Sequence, residues 1–344
     1  MNHVAVDLGS RQSQLCVRSA EGQIQQEAKL ANADLRAALA ALPKSRVVLE
    51  TSSEAFAVAD LALAARHEVN IVPSGLARNL GVGQRGIKTD KKDARNLSMA
   101  SCRMETLPQV HLPSMQAREL RRLLTSRAQL VAARTSMVNS VRGWLRSQLL
   151  RTSRGTRPDN FPERIRELAL ERPEGLPVHI DRLLKVVETL NAQLKDADKE
   201  LEELAKGNLT CQRLMTVPGV GPVTSATFWA TVDDAKRFKT AHAVESYLGL
   251  TPGESSSGQT VQKLGITRAG ATRARATLIQ AAWAAWRTRP SDPMVRWARG
   301  IAERRPIQVA VVALARKMAG ILYALWRDEE RNDPAHGLKR DQHS

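Results

Sequence analysis

Val4-Ala5-Val6-Asp7 opens the chain with a short apolar run that ends in an acid, and Arg46-Val47-Val48-Leu49-Glu50 repeats the pattern further along. Short apolar runs bounded by turn signals read as buried strands, so Asp7 and Glu50 are expected at strand ends or edges. Gln14-Leu15-Cys16-Val17-Arg18 reads as the hairpin neighbour of the first strand, with Ala20-Glu21-Gly22 as a turn. Helical patterns around Leu35 to Leu42 and Ala55 to Ala65 alternate with strands at Val47 to Glu50 and Val69 to Val72. Residues 1–110 are therefore expected to form a mixed α/β domain.

Lys88-Thr89-Asp90-Lys91-Lys92-Asp93-Ala94 adds two carboxylates spaced three apart, which places them on one face of a helix. Singly, each acid has a plain structural reading. Thr89 or Asp90 could cap a helix whose first turn carries Asp93, and a strand-end acid is often a turn residue. Together, Asp7, Glu50, Asp90 and Asp93 make a four-carboxylate set in one α/β unit. Such oxygen ligands suit hard divalent cations, and a pair of these ions can stabilise both the attacking and the leaving oxygen of a phosphodiester displacement.

The chain has 344 residues, with 52 lysines and arginines against 35 acids, a formal charge of +17 and a pI near 10.5. A polyanionic partner is expected. No membrane anchor is expected: the apolar stretch Val309 to Ala315 is too short to span a bilayer, and Met1-Asn2-His3 begins no signal pattern. Cys16, Cys102 and Cys211 are scattered and lack CxxC spacing, which argues for a reducing cytoplasm and against zinc or a disulfide framework.

Residues 111–206 read as a coiled-coil region. Leu123, Leu130, Met137 and Trp144 recur every seventh position, and Leu183, Val187, Leu190, Leu194, Ala197, Leu201 and Leu204 step by fours and threes. The stripes are packing surfaces, with self or another helix as partner left open. Arg85 to Arg157 holds sixteen basic residues against four acids, and Arg118, Arg121, Arg122, Arg127, Arg134, Arg142 and Arg146 stud the first long helix. Solvated helix faces normally mix signs, so contact with nucleic acid is expected there and at Lys88.

Residues 207–327 hold two further motifs, and 328–344 are expected to be a disordered tail. Val217-Pro218-Gly219-Val220-Gly221 resembles the turn of a helix-hairpin-helix module, where Gly219 and Gly221 could present backbone N–H groups to phosphate; a purely structural turn is the alternative. Gly249-Leu250-Thr251-Pro252-Gly253-Glu254-Ser255-Ser256-Ser257-Gly258 ends in serines placed in a loop, either a connector or the seat of a nucleophile. Arg268, Arg273 and Arg275 follow, as cations for a phosphate.

These patterns, in this order over nearly the whole chain to about Trp326, resemble the DEDD transposases of insertion-sequence family one-ten. The resemblance implies an RNase H-like domain similar to the RuvC resolvase, a helical coiled-coil middle, and a mainly α-helical transposase domain carrying a catalytic serine. It implies Asp7, Glu50, Asp90 and Asp93 as Mg2+ ligands and Ser257 as nucleophile, with Ser256 as the register alternative. It further implies recombination of donor and target DNA guided by a bridge RNA, through a covalent phosphoserine intermediate. A homo-oligomer is implied, a dimer assembling to a tetramer, bacterial, cytoplasmic and nucleoid-associated, with heptad pairing between subunits as one route of assembly. Ser52-Ser53-Glu54 departs from the pattern, since relatives more often carry glycine there.

Aromatic residues are 3% of the chain, which disfavours RNA recognition on an exposed aromatic sheet. An actin-like ATPase would need a second Asp-x-Gly phosphate loop, and none follows. A metal-dependent junction nuclease or a non-catalytic nucleic-acid-binding protein is the other alternative, separated from a recombinase by a covalent protein–DNA adduct. Replacing Arg121 and Arg122 together is expected to flatten the salt dependence of nucleic-acid affinity.

Overall fold

The computed structural model describes residues 1–75, 89–152, 155–170, 174–257 and 260–329. Lys88 and the tail from residue 330 onward lie outside the described residues. The chain divides into two compact units, Met1–Pro113 and Ser114–Ser344.

The first unit is a five-stranded sheet in the order β3-β2-β1-β4-β5, built from β1 (Asn2–Leu8), β2 (Gln12–Arg18), β3 (Ile24–Ala31), β4 (Ser45–Glu50) and β5 (Glu68–Val72). β1, β2 and β3 form an antiparallel meander, while β4 lies parallel to β1 and β5 parallel to β4. Side chains alternate across the sheet. Val4, Val6, Val47 and Leu49 therefore pack with α1 (Leu35–Ala40) and α2 (Ala55–Ala64) on one face. Ala5 and Val48 face the other way, against Leu97 and Ala100 of α3 (Asp90–Arg103). β3 is easily missed in sequence, because in Ile-Gln-Gln-Glu-Ala-Lys-Leu-Ala the alternation of Ile24, Ala28 and Leu30 is broken at Gln26 and carries little apolar weight.

In the second unit, α4 (Met115–Ser147) and α6 (Val178–Gly207) pack on one another, with the short α5 (Phe161–Leu170) beside them. Val138, Val141 and Leu145 meet Ile180, Leu184 and Val187, while Leu124 clusters with Leu201, so the two helices run antiparallel. The heptad stripes thus face each other within one chain. Of the two partners left open for these stripes, the one observed is a helix of the same chain.

Next come α7 (Leu209–Leu214), α8 (Pro222–Val232) and α9 (Ala241–Tyr247), then a hairpin of β6 (Pro252–Ser257) and β7 (Thr260–Ile266). The serine run is therefore strand, not the expected loop; cross-strand pairing overrides the weak strand preference of Ser and Gly. α10 (Thr272–Thr288), α11 (Pro293–Ala302) and α12 (Ile307–Arg327) complete the unit. By length and composition α12 could cross a bilayer, yet its Val311, Leu314, Met318 and Leu322 are fully buried in this unit's core.

Gly219, in the turn between α7 and α8, has φ +85°, and a Cβ there would lie 2.2 Å from the carbonyl oxygen of Ala281 on α10. Gly221, the N-cap of α8, has open space around it. Gly219→Ala should cost about 2–4 kcal/mol, from left-handed strain plus overpacking. Gly221→Ala should cost under about 1 kcal/mol. Chemical denaturation of both variants measures the difference; equal losses would contradict the close-packed turn.

Candidate active site and nucleic-acid contacts

β1 and β4 are in register, Val6 beside Leu49, so the next residues, Asp7 and Glu50, are neighbours at the same end of two parallel strands. Their alternation matches Ala5 and Val48, so both acids belong to the sheet face that α3 covers. A polar seam holds α3 there. Nδ1 of His3 and Oγ of Ser101 are 2.8 Å apart, and Oγ of Ser98 lies 3.3 Å from both Sγ of Cys16 and Nε of Arg18. Arg46 donates to the carbonyls of Ser101 and Met104 at 3.4 and 3.0 Å.

Ser101 is thus level with His3, and Ser98 with Cys16, whose strand partner is Ala5. α3 therefore runs antiparallel to β1. At a rise of about 1.5 Å per helical residue against about 3.3 Å per strand residue, its first turn comes level with Asp7. Asp90 and Asp93 lie in that turn. All four acids consequently share one face and one end of the sheet.

Thr89 is the N-cap of α3, its side chain accepting from the backbone N–H of Lys92 at 3.3 Å. Neither Asp90 nor Asp93 is needed for that role. Two cations of this helix are held elsewhere: Glu27 on β3 takes Arg95 with both carboxylate oxygens and Lys91 at 3.3 Å. The Arg95 hydrogen bonds, with Lys91 behind them, pull the Glu27 carboxyl down to about 2. Among the described residues no ion pair involves Glu50, Asp90 or Asp93. The Glu27 clamp was invisible in sequence, since nothing local connects position 27 with 91 and 95.

The donor set is all-carboxylate oxygen, and three of its four members make no ion pair among the described residues, which fits a hard divalent ion. Among the described residues, no three His, Cys, Asp or Glu side chains lie close enough to hold one ion. Like charges repel at short range, so such a cluster forms only against a neutralising charge.

In the second unit, Ser255, Ser256 and Ser257 pair by register with Gln262, Val261 and Thr260 at the end of the hairpin; Gly258 and Gln259 lie outside the described residues. The base of this hairpin is locked. Gly249 and Gly270 both have φ +67°, and a Cβ on either would lie 2.2 Å from a backbone oxygen, of Ala269 and Tyr247 respectively. Arg275 is buried, and its Nη1 donates to the carbonyls of Leu248 and Ala269 at 3.0 and 2.9 Å. It therefore secures the hairpin from inside, where phosphate has no access. Arg268 is exposed at the hairpin base, whereas Arg273 donates to Thr125 at 2.7 Å.

The arginines of α4 divide similarly. Arg121 is half-buried and donates to the carbonyls of Ala230 and Thr231 at 2.7 and 3.2 Å, which caps the C-terminal end of α8. Arg127 pairs with Asp198, and Arg134 with Asn191 and Asp159, across to neighbouring segments. Arg118 is half-buried. Arg122 is exposed beside Glu119, and Arg146 is exposed near the end of α4. Arg121 is thus a helix cap, and the pair suited to a salt-slope experiment is Arg122 with Arg146.

Residues 4–149 match the family profile of the DEDD transposases of IS110 type, and residues 211–294 match the transposase IS116/IS110/IS902 family. The chain is 32% identical to the transposase for insertion sequence element IS1111A of Coxiella burnetii, over 71% of this chain and 68% of that one. It is 33% identical to a probable family 20 transposase of Pseudomonas aeruginosa, over 70% and 73%. To the transposase for insertion sequence element IS1328 of Yersinia enterocolitica it is 24% identical, over 94% and 96%.

Two outcomes follow from these placements. Arg275→Met should destabilise the second unit by about 2–4 kcal/mol, because the Leu248 and Ala269 carbonyls lose their donor; a neutral effect in a thermal melt would contradict the clamp. Replacing Arg122 and Arg146 with alanine should lower the slope of log affinity against log salt by about 2 without changing the melting temperature. Titrations of a DNA duplex at several salt concentrations read that slope, and an unchanged value would remove α4 from the contact surface.

Proposed function

Since the chain belongs to the IS116/IS110/IS902 transposase family, enzymes that cleave and rejoin DNA, we propose that it recombines donor and target DNA through a serine ester, assisted by carboxylate-bound Mg2+ and guided by a bridge RNA. This reading is supported by the position of Asp7 and Glu50 at the same end of the parallel strands β1 and β4, by Asp90 and Asp93 in the first turn of the helix that covers that face, and by Lys91 and Arg95 pairing with Glu27 instead. An RNase H-like assignment for the first unit is supported by its sheet order, three antiparallel strands extended by two parallel ones.

A DEDD domain implies use of a divalent metal. Asp7, Glu50, Asp90 and Asp93 would hold it, and when bound it supplies charge neutralisation at the phosphate and activation of the attacking hydroxyl. Ser257 would act as nucleophile. Its hydroxyl oxygen forms a bond to the phosphorus and gives up its proton, while the bond from phosphorus to the leaving strand oxygen breaks and that oxygen departs as a hydroxyl. The reverse attack by a hydroxyl of the second strand restores the serine and joins the DNA. One phosphate ester replaces another at each step, so rejoining needs no ATP. Arg268, exposed at the base of the hairpin, is the cation suited to hold the phosphate.

Guidance by RNA is supported by the charge of +17 and by the many arginines, which suit backbone contacts while base pairing reads sequence. The RNA would come from the element's own end. An oligomer assembled on DNA in the bacterial cytoplasm completes the reading.

Asp90→Asn is expected to lower strand exchange by about 100-fold or more while leaving nucleic-acid binding intact. Normal recombination by this variant would return Asp90 to a purely structural role. Incubation with guide RNA and a suicide DNA substrate should trap a covalent adduct that peptide mapping places on Ser257. An adduct on Ser256 would shift the register by one residue; efficient recombination by Ser257→Ala with no adduct would place the protein among metal-only nucleases.

A further inference from the structure

Gln280, Trp283 and Arg287 lie three and four residues apart on α10, which sets them on one helical face, and together they line a shallow open cavity of about 450 Å³. The Trp283 ring is half-buried and packs edge-on against Trp286, with centroids 6.5 Å apart and planes at 67°. Trp286 is fixed in turn by Arg299, whose guanidinium lies 5.4 Å from its ring centroid and donates to its carbonyl at 3.2 Å. The Trp283 ring is thus braced from behind and opens onto the cavity. Gln280 and Arg287 are exposed, and neither side chain makes a hydrogen bond or ion pair with any described residue.

A rigid indole face, an amide that both donates and accepts, and an unpaired guanidinium form a set that recognises a flat heteroaromatic ring attached to a phosphate. We propose that the Gln280–Trp283–Arg287 face of α10 is a stacking platform for one unpaired nucleobase, with Gln280 on the base edge and Arg287 on the adjoining phosphate. A base within a duplex has both faces covered by its neighbours, so the platform selects single-stranded or extruded nucleotides. The proposal rests on the reading of the chain as a nucleic-acid recombinase and adds a residue-level contact to it. In a chain with so few aromatic residues, this gives stacking a place on a helix instead of a sheet.

The test uses the full chain with three probes, each carrying one 2-aminopurine: a single-stranded DNA, a single-stranded RNA and a DNA duplex. Anisotropy reports binding, and 2-aminopurine fluorescence reports stacking. Wild-type protein should quench the fluorescence of one or both single strands, and the strand quenched identifies DNA or RNA as the source of the base. Trp283→Ala should abolish that quenching and weaken single-strand binding about tenfold, leaving duplex affinity unchanged. Trp283→Phe should retain most of both signals. Gln280→Ala with Arg287→Ala, both at exposed positions, should weaken single-strand binding several-fold with no change in melting temperature. Quenching that survives Trp283→Ala, or an equal loss of duplex binding, would overturn the platform alone. Flat anisotropy with all three probes would overturn the nucleic-acid reading and the platform with it.

Discussion

The docking of α3 on the sheet is the constraint from which the candidate metal site follows. Arg18 is buried at the centre of that contact, and its guanidinium has donors that must be met: it reaches the Ser98 hydroxyl and the carbonyls of Gly22 and Arg95. A buried charge with unmet hydrogen bonds is expensive, so a slip of α3 by one turn, about 5.4 Å, would be strongly penalised. Leu97 and Ala100 supply the apolar half of the contact, and the His3–Ser101 pair fixes its far end. With the C-terminal half of the helix pinned, the level of its first turn is determined, and so is the placing of Asp90 and Asp93 beside the strand ends that carry Asp7 and Glu50. The level of that first turn is set without any contact made by the carboxylates themselves.

The second unit handles its charge by a comparable division. Several arginines that a composition argument assigns to nucleic acid instead satisfy backbone carbonyls or pair with acids across to neighbouring segments. Arg121 ends α8 and Arg275 holds the base of the serine hairpin, each replacing water as donor to carbonyls that burial has stranded. Asp233 does the converse, accepting from the Ser114 backbone N–H at 2.9 Å and so tying the start of α4 to the end of α8. The cations left in solvent, Arg122, Arg146, Arg268 and Arg287 among them, are those available to a polyanion. Affinity for nucleic acid and stability of the fold therefore draw on different arginines.

The strands that carry Asp7 and Glu50 were legible because buried strands must be apolar, and the long helices because a mating face must repeat at helical spacing. β3 was not legible, since an exposed edge strand answers to hydrogen bonding and not to burial. The serine hairpin was hidden for a related reason: Gly253, Ser255, Ser256 and Ser257 have poor strand preference, and only pairing with the following strand makes them one. The heptads announced an apolar seam but not its partner, because the same stripe serves a helix of its own chain or of another. The roles of Arg121 and Arg275 depend on carbonyls distant in sequence from Arg121 or turned inward beside Arg275, information that no local pattern holds. Residue chemistry groups the four acids as oxygen ligands for a divalent ion, whereas the serine run alone reads equally as a connector, and its role comes only from the family resemblance.

The central claim is that four carboxylates on one face of the sheet form a single cation site. Ferrous iron takes oxygen ligands and, with peroxide, cuts nearby backbone. Under these conditions the account predicts protein cleavage at three places far apart in sequence, around Asp7, around Glu50 and around Asp90 to Asp93, all suppressed together by excess Mg2+ or by Asp7→Asn. Cleavage at one of these places alone, or a pattern that Asp7→Asn leaves unchanged, would contradict it.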